Sequence, residues 1–360
     1  MPEERPVPLS ELTTMRVGGA PSALRVALTA DELIEIVRDL DANGERLLLV
    51  SGGSNLLVAD AGFEGTVVRV GSRGITLGSA DLCGGVIVTV AAGESWDDFV
   101  SYCVEQGWAG IEALSGIPGL VGATPIQNVG AYGQEVAQTI WSVRVWDRAD
   151  RAVRTFANAD CGFAYRTSRF KGADRYVVLD VTFQLEVADL SRPIAYGDLA
   201  AGLGVELGAR VPLARAREAV LEQRRRRGMV LDDADHDTWS CGSFFTNPIL
   251  TPGEYESLTL RVREHLGSEA IPPRFPAGVP GAPEAVKTSA AWLIDRAGFA
   301  KGYGLPGPAA LSTKHVLALT NRGGASAEEL IALARRVRDG VRDVFDVELV
   351  NEPVLVGLEL

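Results

Sequence analysis

Apolar residues recur at helical spacing in several stretches of the 360-residue chain. Leu33, Ile36, Val37 and Leu40 share one helix face; Thr29 caps its start, Glu32 completes a capping box, and Gly44 stands at its end. Ser95 and Asp98 open a second helix that holds Phe99 and Cys103 and stops at Gly107. A third is predicted from Pro212 to Arg227, a short apolar one from Ser289 to Ala297, and a last one capped by Ser326 and Glu329. The stripe of that last helix is Leu330, Leu333, Val337, Val341 and Val344. Period-two or continuous apolar runs predict strands at Leu47–Val50, Leu56–Val58, Thr66–Val70, Val86–Ala91, Val143–Asp147, Val153–Phe156 and Val177–Leu185. Residues 10–28 and Val347–Leu360 are also expected to be extended, the second interrupted at Asn351-Glu352-Pro353.

Two stretches break this periodicity. Gly116–Gly133 interleaves glycines with Ile117, Leu120, Val121, Ile126 and Val129 and carries no charge. A solvated linker would be polar. This composition predicts a buried, ordered loop whose backbone approaches a ligand closely, stiffened by Pro118 and Pro125; the plainer reading is a connecting loop. Ser51-Gly52-Gly53-Ser54-Asn55 turns between two strands, where successive N–H groups can form a nest for a phosphate, or simply a tight turn.

Net charge is −12, which argues against a broad nucleic-acid footprint. The first six residues show no signal region, and no apolar run approaches the roughly 18 residues of a membrane span. Cys83, Cys103, Cys161 and Cys241 are widely spaced and read as reduced cytosolic thiols; His236, His265 and His315 are equally scattered, so no metal centre is expected. Two arginines flanked by aromatics in Phe163–Phe170 suggest an anion clamp, or a solvated loop. Arg224–Arg227 either complements a helix C-terminus or faces an anionic ligand. Trp239–Pro248 can hold a hydroxyl in a water-poor place, and Cys241 reads as a packed thiol. Gly302–Gly307 matches GxGxxG, but no strand precedes it and Pro306 and Pro308 exclude the helix that must follow.

Ser-Gly-Gly-Ser-Asn, the Ile-Pro-Gly…Pro-Ile-Gln-Asn-Val-Gly-Ala-Tyr-Gly run and Gly-Ser-Phe-Phe-Thr-Asn-Pro together resemble the UDP-N-acetylenolpyruvoylglucosamine reductase (MurB) family. The likeness continues through Phe-Ala-Tyr-Arg-Thr-Ser, Ala-Tyr-Gly-Asp-Leu, Ala-Trp-Leu-Ile-Asp and Asn-Glu-Pro-Val, over about residues 10–360. It implies an α+β chain with a vanillyl-alcohol-oxidase-type FAD-binding fold of two subdomains plus a C-terminal α+β substrate-binding domain. The expected divisions are 1–72, 73–211 and 212–354, with a strand near 355–360 returning to the first. Tight non-covalent FAD is implied, since histidyl attachment is common in the wider superfamily and the first histidine here is His236. NADPH is implied as hydride donor, using one site in turn with the UDP-sugar, in a cytoplasmic monomer without nucleic-acid or membrane partners.

Carried onto this sequence, the resemblance places FAD contacts at Gly52, Gly53, Ser54, Asn55, Pro118, Gly119, Thr124, Pro125, Gln127, Asn128 and Gly130. It places substrate contacts at Tyr132, Tyr165, Tyr196, Arg227 and Asn247. Ala195–Leu199 resembles the tyrosine loop of the longer class of the family. A substrate-binding lysine of many relatives falls within Arg224–Arg227, where this chain has only arginine; Arg227 takes its place, with the register among the four open. The implied catalytic residues are Arg166, Ser243 and Glu352. Arg166 would clamp negative charge spreading into the substrate carboxylate, Ser243 would deliver a proton to carbon, and a protonated Glu352 would hydrogen-bond the intermediate. Glu348 is a rival carboxylate, disfavoured by its spacing to Gly357. Two other readings are a flavin oxidoreductase acting on an alcohol or sugar, and a flavin-loaded binding protein without activity.

Overall fold

A computed structural model describes residues 7–81, 84–278 and 281–360; Met1–Pro6 and Cys83 lie outside the described residues. Chain contacts divide the protein into two units. The first holds Pro21–Gly52 and Glu64–Val230, the second Val7–Ala20, Gly53–Phe63 and Leu231–Leu360.

In the first unit, helix α1 (Ala30–Asn43) forms where the apolar stripe predicts it. Thr29 accepts from the Glu32 N–H, and the Glu32 carboxylate reaches back to the Leu28 N–H rather than to Thr29. Leu47–Val50 runs parallel to Phe63–Val70 in a three-stranded sheet completed by Pro21–Ala27. A larger antiparallel sheet orders Ala152–Ala157, Ile140–Asp147, Tyr176–Val187, Gly85–Ala91 and Ile75–Asp81. Tyr176–Val187 is its middle strand and is buried on both faces from Val177 to Val181. Helix α2 (Trp96–Glu105), capped by Ser95, packs Trp96 and Phe99 against Phe183 at ring separations of 6.0 and 5.2 Å. Helices α3 (Gly197–Leu203) and α4 (Leu213–Arg226) share a small cluster of Leu199, Ala200, Leu203, Ala216 and Val220.

The second unit contains α5 (Pro252–Leu266), α6 (Ala290–Arg296) and α7 (Ala327–Phe345). The α7 stripe is buried against a hairpin of Ala309–Leu311 and Leu319–Asn321. Leu56–Val58 pairs in parallel with Val354–Val356.

Two expectations are corrected, and one helix is added. Residues 10–20 are not extended: Arg16 (φ 55°) and Gly18 (φ 117°) turn the segment back on itself, and Leu9 and Ser10 N–H groups donate to Gly19 and Gly18. A strand begins only at Pro21. At the other end only Val354–Val356 is strand, because Pro353 has no N–H to pair and Gly357 (φ 68°) turns the chain away. Helix α5 was not predicted, although Thr251 and Glu254 form a full capping box at its start.

Candidate functional site

Gly52 and the Gly116–Gly133 stretch meet inside the first unit. A Cβ on Gly52 would lie 2.5 Å from Gly119 Cα, so the two backbones are in direct contact there. Gly116–Gly133 is pinned from beneath: Trp96 N–H donates to Gly119 O (3.1 Å), Val121 N–H to Glu94 O (2.9 Å) and Gly122 N–H to Ala92 O (2.9 Å). Thr124 closes its own 3-10 turn by donating to Val121 O at 2.8 Å, and Pro125 is buried beside it. The stretch ends in a two-residue-per-strand hairpin, Gly130–Ala131 with Gln134–Glu135, and Tyr132 lies at its tip.

Three residues other than glycine take left-handed backbone around this hairpin: Asn128 (φ 49°), Tyr132 (φ 50°) and Arg166 (φ 52°). Such conformations cost free energy and collect at functional sites. Arg166 sits in a tight turn between Ala164 and Thr167, its Nη2 donates to Gly130 O at 2.9 Å, and its guanidinium lies 5.4 Å from the Tyr165 ring. Tyr132 stacks edge to face on Tyr196 at 5.5 Å. Burial pushes the Tyr132 phenol up, opposed by the Arg224 and Arg227 guanidiniums, and Arg227 also hydrogen-bonds it. Arg227 is ion-paired with Asp198 at 2.6 Å, in the first turn of α3 behind Tyr196. Arg226 instead pairs with Glu222 on the exposed face of α4. Arg166, Tyr165, Asn128, Gly130, Tyr132, Tyr196 and Arg227 thus form one chain of contacts in the first unit.

The sequence leaves Arg224 among the four arginines whose register is open and does not choose it. Its Nη2 donates to Met229 O, and its Nε is buried without a partner among the described residues. Burial brings its guanidinium down to about 10, against the opposing pull of Tyr132 and Asp97. The signal was available: Leu213, Ala216 and Val220 mark the buried face of α4, and Arg224 is the next position on it. Asp97 was missed. It accepts from Gly116 N–H and from both Nη atoms of Arg217, tying α2, the glycine-rich stretch and α4 together.

The second unit gathers another set. Glu352 N–H donates to Phe244 O at 2.8 Å, and Phe245 bridges Asn351, so the chain segments of Ser243 and Glu352 run side by side. Asn55 Nδ2 donates to Glu352 O (3.3 Å), and Asn55 O accepts from Val354 N–H (2.9 Å). Ser243 is half-buried, and none of the described hydrogen bonds uses its hydroxyl. Asn247 Oδ1 accepts from Ala290 N–H at 3.0 Å, ahead of α6. Cys241 donates to Leu56 O (3.2 Å), and burial pushes its thiol up to about 12. Among the described residues no cluster of metal-ligating side chains occurs, and no helix is long and apolar enough to cross a membrane.

The first unit's end of the Ser51–Asn55 turn, Ser51 and Gly52, fits an anionic cofactor on its donors. Ser51 Oγ is buried with no partner among the described residues, and the described hydrogen bonds leave the Gly52 N–H uncommitted. Carboxylates are absent from 51–55 and from Gly116–Gly133. A FAD binding domain model matches residues 21–156, and the C-terminal domain model of UDP-N-acetylenolpyruvoylglucosamine reductase matches 233–356. The class is therefore an FAD-binding oxidoreductase of α+β fold, as expected. A reductase of that name from Thermobifida fusca is 57% identical over 99% of this chain and 98% of its own length. One from Streptomyces avermitilis is 57% identical over 98% and 94%. The crystal structure of the Thermus caldophilus reductase is 25% identical, covers 99% of both chains and superposes with a TM-score of 0.65. The chain belongs to the UDP-N-acetylenolpyruvoylglucosamine reductase family, and serves peptidoglycan precursor synthesis.

Proposed function

We propose that the chain reduces the enolpyruvyl ether of UDP-N-acetylglucosamine-enolpyruvate to UDP-N-acetylmuramate, with Arg166, Ser243 and Glu352 as its catalytic residues. Bound FAD would supply hydride transfer, with NADPH as the donor and the terminal carbon of the enolpyruvyl group as the acceptor. Ser51, Gly52, Gly53, Ser54 and Asn55 hold its pyrophosphate, and Pro118–Gly130 lines its flavin. A histidyl link from residues 21–156 is excluded, since they contain no histidine, and FAD is held non-covalently. Arg166 carries a permanent charge and offsets the negative charge that spreads into the substrate carboxylate. Ser243 donates a proton to the carbon next to that carboxylate, and a protonated Glu352 donates a hydrogen bond to the intermediate while this happens. Tyr132, Tyr165, Tyr196, Arg227 and Asn247 bind the UDP-sugar. The protein works as a cytoplasmic monomer, divided functionally at about 72 and 211, in a pathway that sustains cell shape and division.

The observation that supports the pairing of Ser243 with Glu352 most directly is the hydrogen-bonded line of Asn55, Glu352 and Phe244, which joins three motifs far apart in the sequence. An anaerobic absorbance experiment tests the reading. NADPH should bleach the flavin band of the purified protein, and the enolpyruvyl UDP-sugar should restore it. A protein bleached by an alcohol or free sugar and indifferent to NADPH would belong to the rival oxidase class, and one with no response would be a binding protein.

A further inference from the structure

Asn128 is expected to touch FAD, yet its side chain is fully occupied within the chain. It is 1% exposed. Nδ2 donates to Glu135 Oε2 at 2.8 Å and to Ala164 O at 3.1 Å, while Oδ1 accepts from Ala137 N–H at 3.1 Å. An amide group has two donor hydrogens, and both are used. At that burial no polar atom of the side chain is left for a ligand.

What these bonds hold is the turn that carries Arg166. Ala164 and Thr167 bond each other's main chain in both directions (3.1 and 3.2 Å), and Arg166 sits inside that turn with φ 52°. A side chain other than Gly, Asn or Asp rarely adopts this conformation, so something outside the turn must hold it. Asn128 supplies a grip at Ala164 O, and Ser168 Oγ supplies another by donating to Ile126 O at 2.6 Å. The guanidinium then meets Gly130 O, two residues along from Asn128, and a Cβ on Gly130 would lie 3.3 Å from its Nη1. Asparagine tolerates the left-handed backbone that its own position demands and reaches both anchors.

We propose that Asn128 is a positioning residue for Arg166: it fixes the turn that aims the guanidinium, and contributes nothing to FAD through its side chain. This rests on Arg166 acting in the reaction. Asn128→Gly keeps the backbone conformation and deletes the amide. It should lower kcat for the enolpyruvyl UDP-sugar by up to about a hundredfold, the size of effect that a displacement of about 1 Å produces. FAD content should hold, and tryptic cleavage after Arg166, read by mass spectrometry, should quicken. A double-mutant cycle with Arg166→Ala decides the matter. If Asn128 acts through Arg166, its removal costs nothing further in the Arg166→Ala background. Equal losses in both backgrounds, or activity lost in step with FAD, would overturn the proposal. Full activity of Arg166→Ala alone would instead remove Arg166 from the reaction. Should Asn128→Gly fail to fold, Asn128→Asp keeps the acceptor for Ala137 and replaces only the donors, and the same cycle applies to it.

Discussion

Gly52→Ala tests whether the two glycine-rich stretches act as one support. The added Cβ would lie 2.5 Å from Gly119 Cα and 3.1 Å from its carbonyl carbon. Ordinary contact begins at 3.4 Å, so the backbones must part by about 0.9 Å (3.4 less 2.5). Neither side can yield by rotating a side chain, since both partners are main chain. Gly119 is also tied to the first turn of α2 through Trp96 N–H. Overpacking of this sort costs about 1–3 kcal/mol. FAD held by both stretches would feel the same displacement, and at about 1.4 kcal/mol per decade its affinity should fall roughly 5- to 150-fold. Titration of FAD into apoprotein, followed by flavin fluorescence, measures this, and thermal melting of the apoprotein measures the cost to the fold. An FAD dissociation constant within about twofold of the wild type's, at an unchanged melting temperature, would show that the stretches do not act jointly. Gly53→Ala is the contrasting control. With φ 59° and the Leu12 carbonyl oxygen inside its Cβ position, it should prevent folding of the second unit whether or not FAD is present.

Ser243→Ala should leave bleaching of the flavin by NADPH nearly intact while slowing its recovery with the enolpyruvyl UDP-sugar by at least about 10²–10⁴-fold; equal slowing of both steps would mark Ser243 as structural. Arg227→Ala should raise KM for the UDP-sugar more than it lowers kcat. Asp198→Asn should lower that KM by no more than about fivefold at low salt, because an exposed ion pair contributes about 0.2–1 kcal/mol and here competes for the same guanidinium. A raised KM would show instead that Asp198 orients Arg227. Burial pushes the Asp97 carboxyl up, but hydrogen bonds from Arg217 and Gly116 N–H outweigh it, and the group stays below its ordinary value. Its stabilisation is therefore complete above its unfolded value, about 4, and is lost as the pH falls through the lower folded value. The melting temperatures of wild type and Asp97→Asn should differ at pH 7 and converge toward pH 3, and a constant gap would contradict this.

Helices whose caps and stripes agree were legible: α1, α2 and α7 begin at the threonine or serine that caps them and bury the apolar face their spacing marks. Helix α5 escaped notice because only Leu258 and Val262 of its fifteen residues are buried, so its cap had no stripe to confirm it. The N-terminal segment failed for a different reason. Thr14, Met15 and Val17 alternate like a strand, but their burial comes from a loop folded at Arg16 and Gly18. Of the candidate site, the motif pieces were legible and their side-chain commitments were not. Asn247 and Asn128 look alike in sequence as polar groups awaiting a ligand. One gives its oxygen to Ala290 N–H, and the other is spent on Glu135, Ala137 and Ala164. Those partners lie 7 to 43 residues away, beyond any local pattern.

The glycines themselves call for a change of emphasis. Bare backbone in a glycine-rich turn invites the inference that a ligand comes close, yet at Gly52 and Gly53 the close neighbours are Gly119 and Leu12 of the chain itself. Both glycines would be required in a protein that bound nothing. Their presence therefore separates no cofactor site from a tight crossing of two loops. The donors beside them bear on it more, because a fold has no internal use for a buried Ser51 hydroxyl without a partner among the described residues. An anion is one partner that can accept from such donors, and this is the physical content of the proposed pyrophosphate site. Ser51→Ala should then weaken FAD by about the value of one hydrogen bond to a charged group, roughly 1.5–3 kcal/mol, while leaving the apoprotein as stable as before or slightly more so. A variant less stable without FAD and equally avid for it would show that the hydroxyl serves the fold.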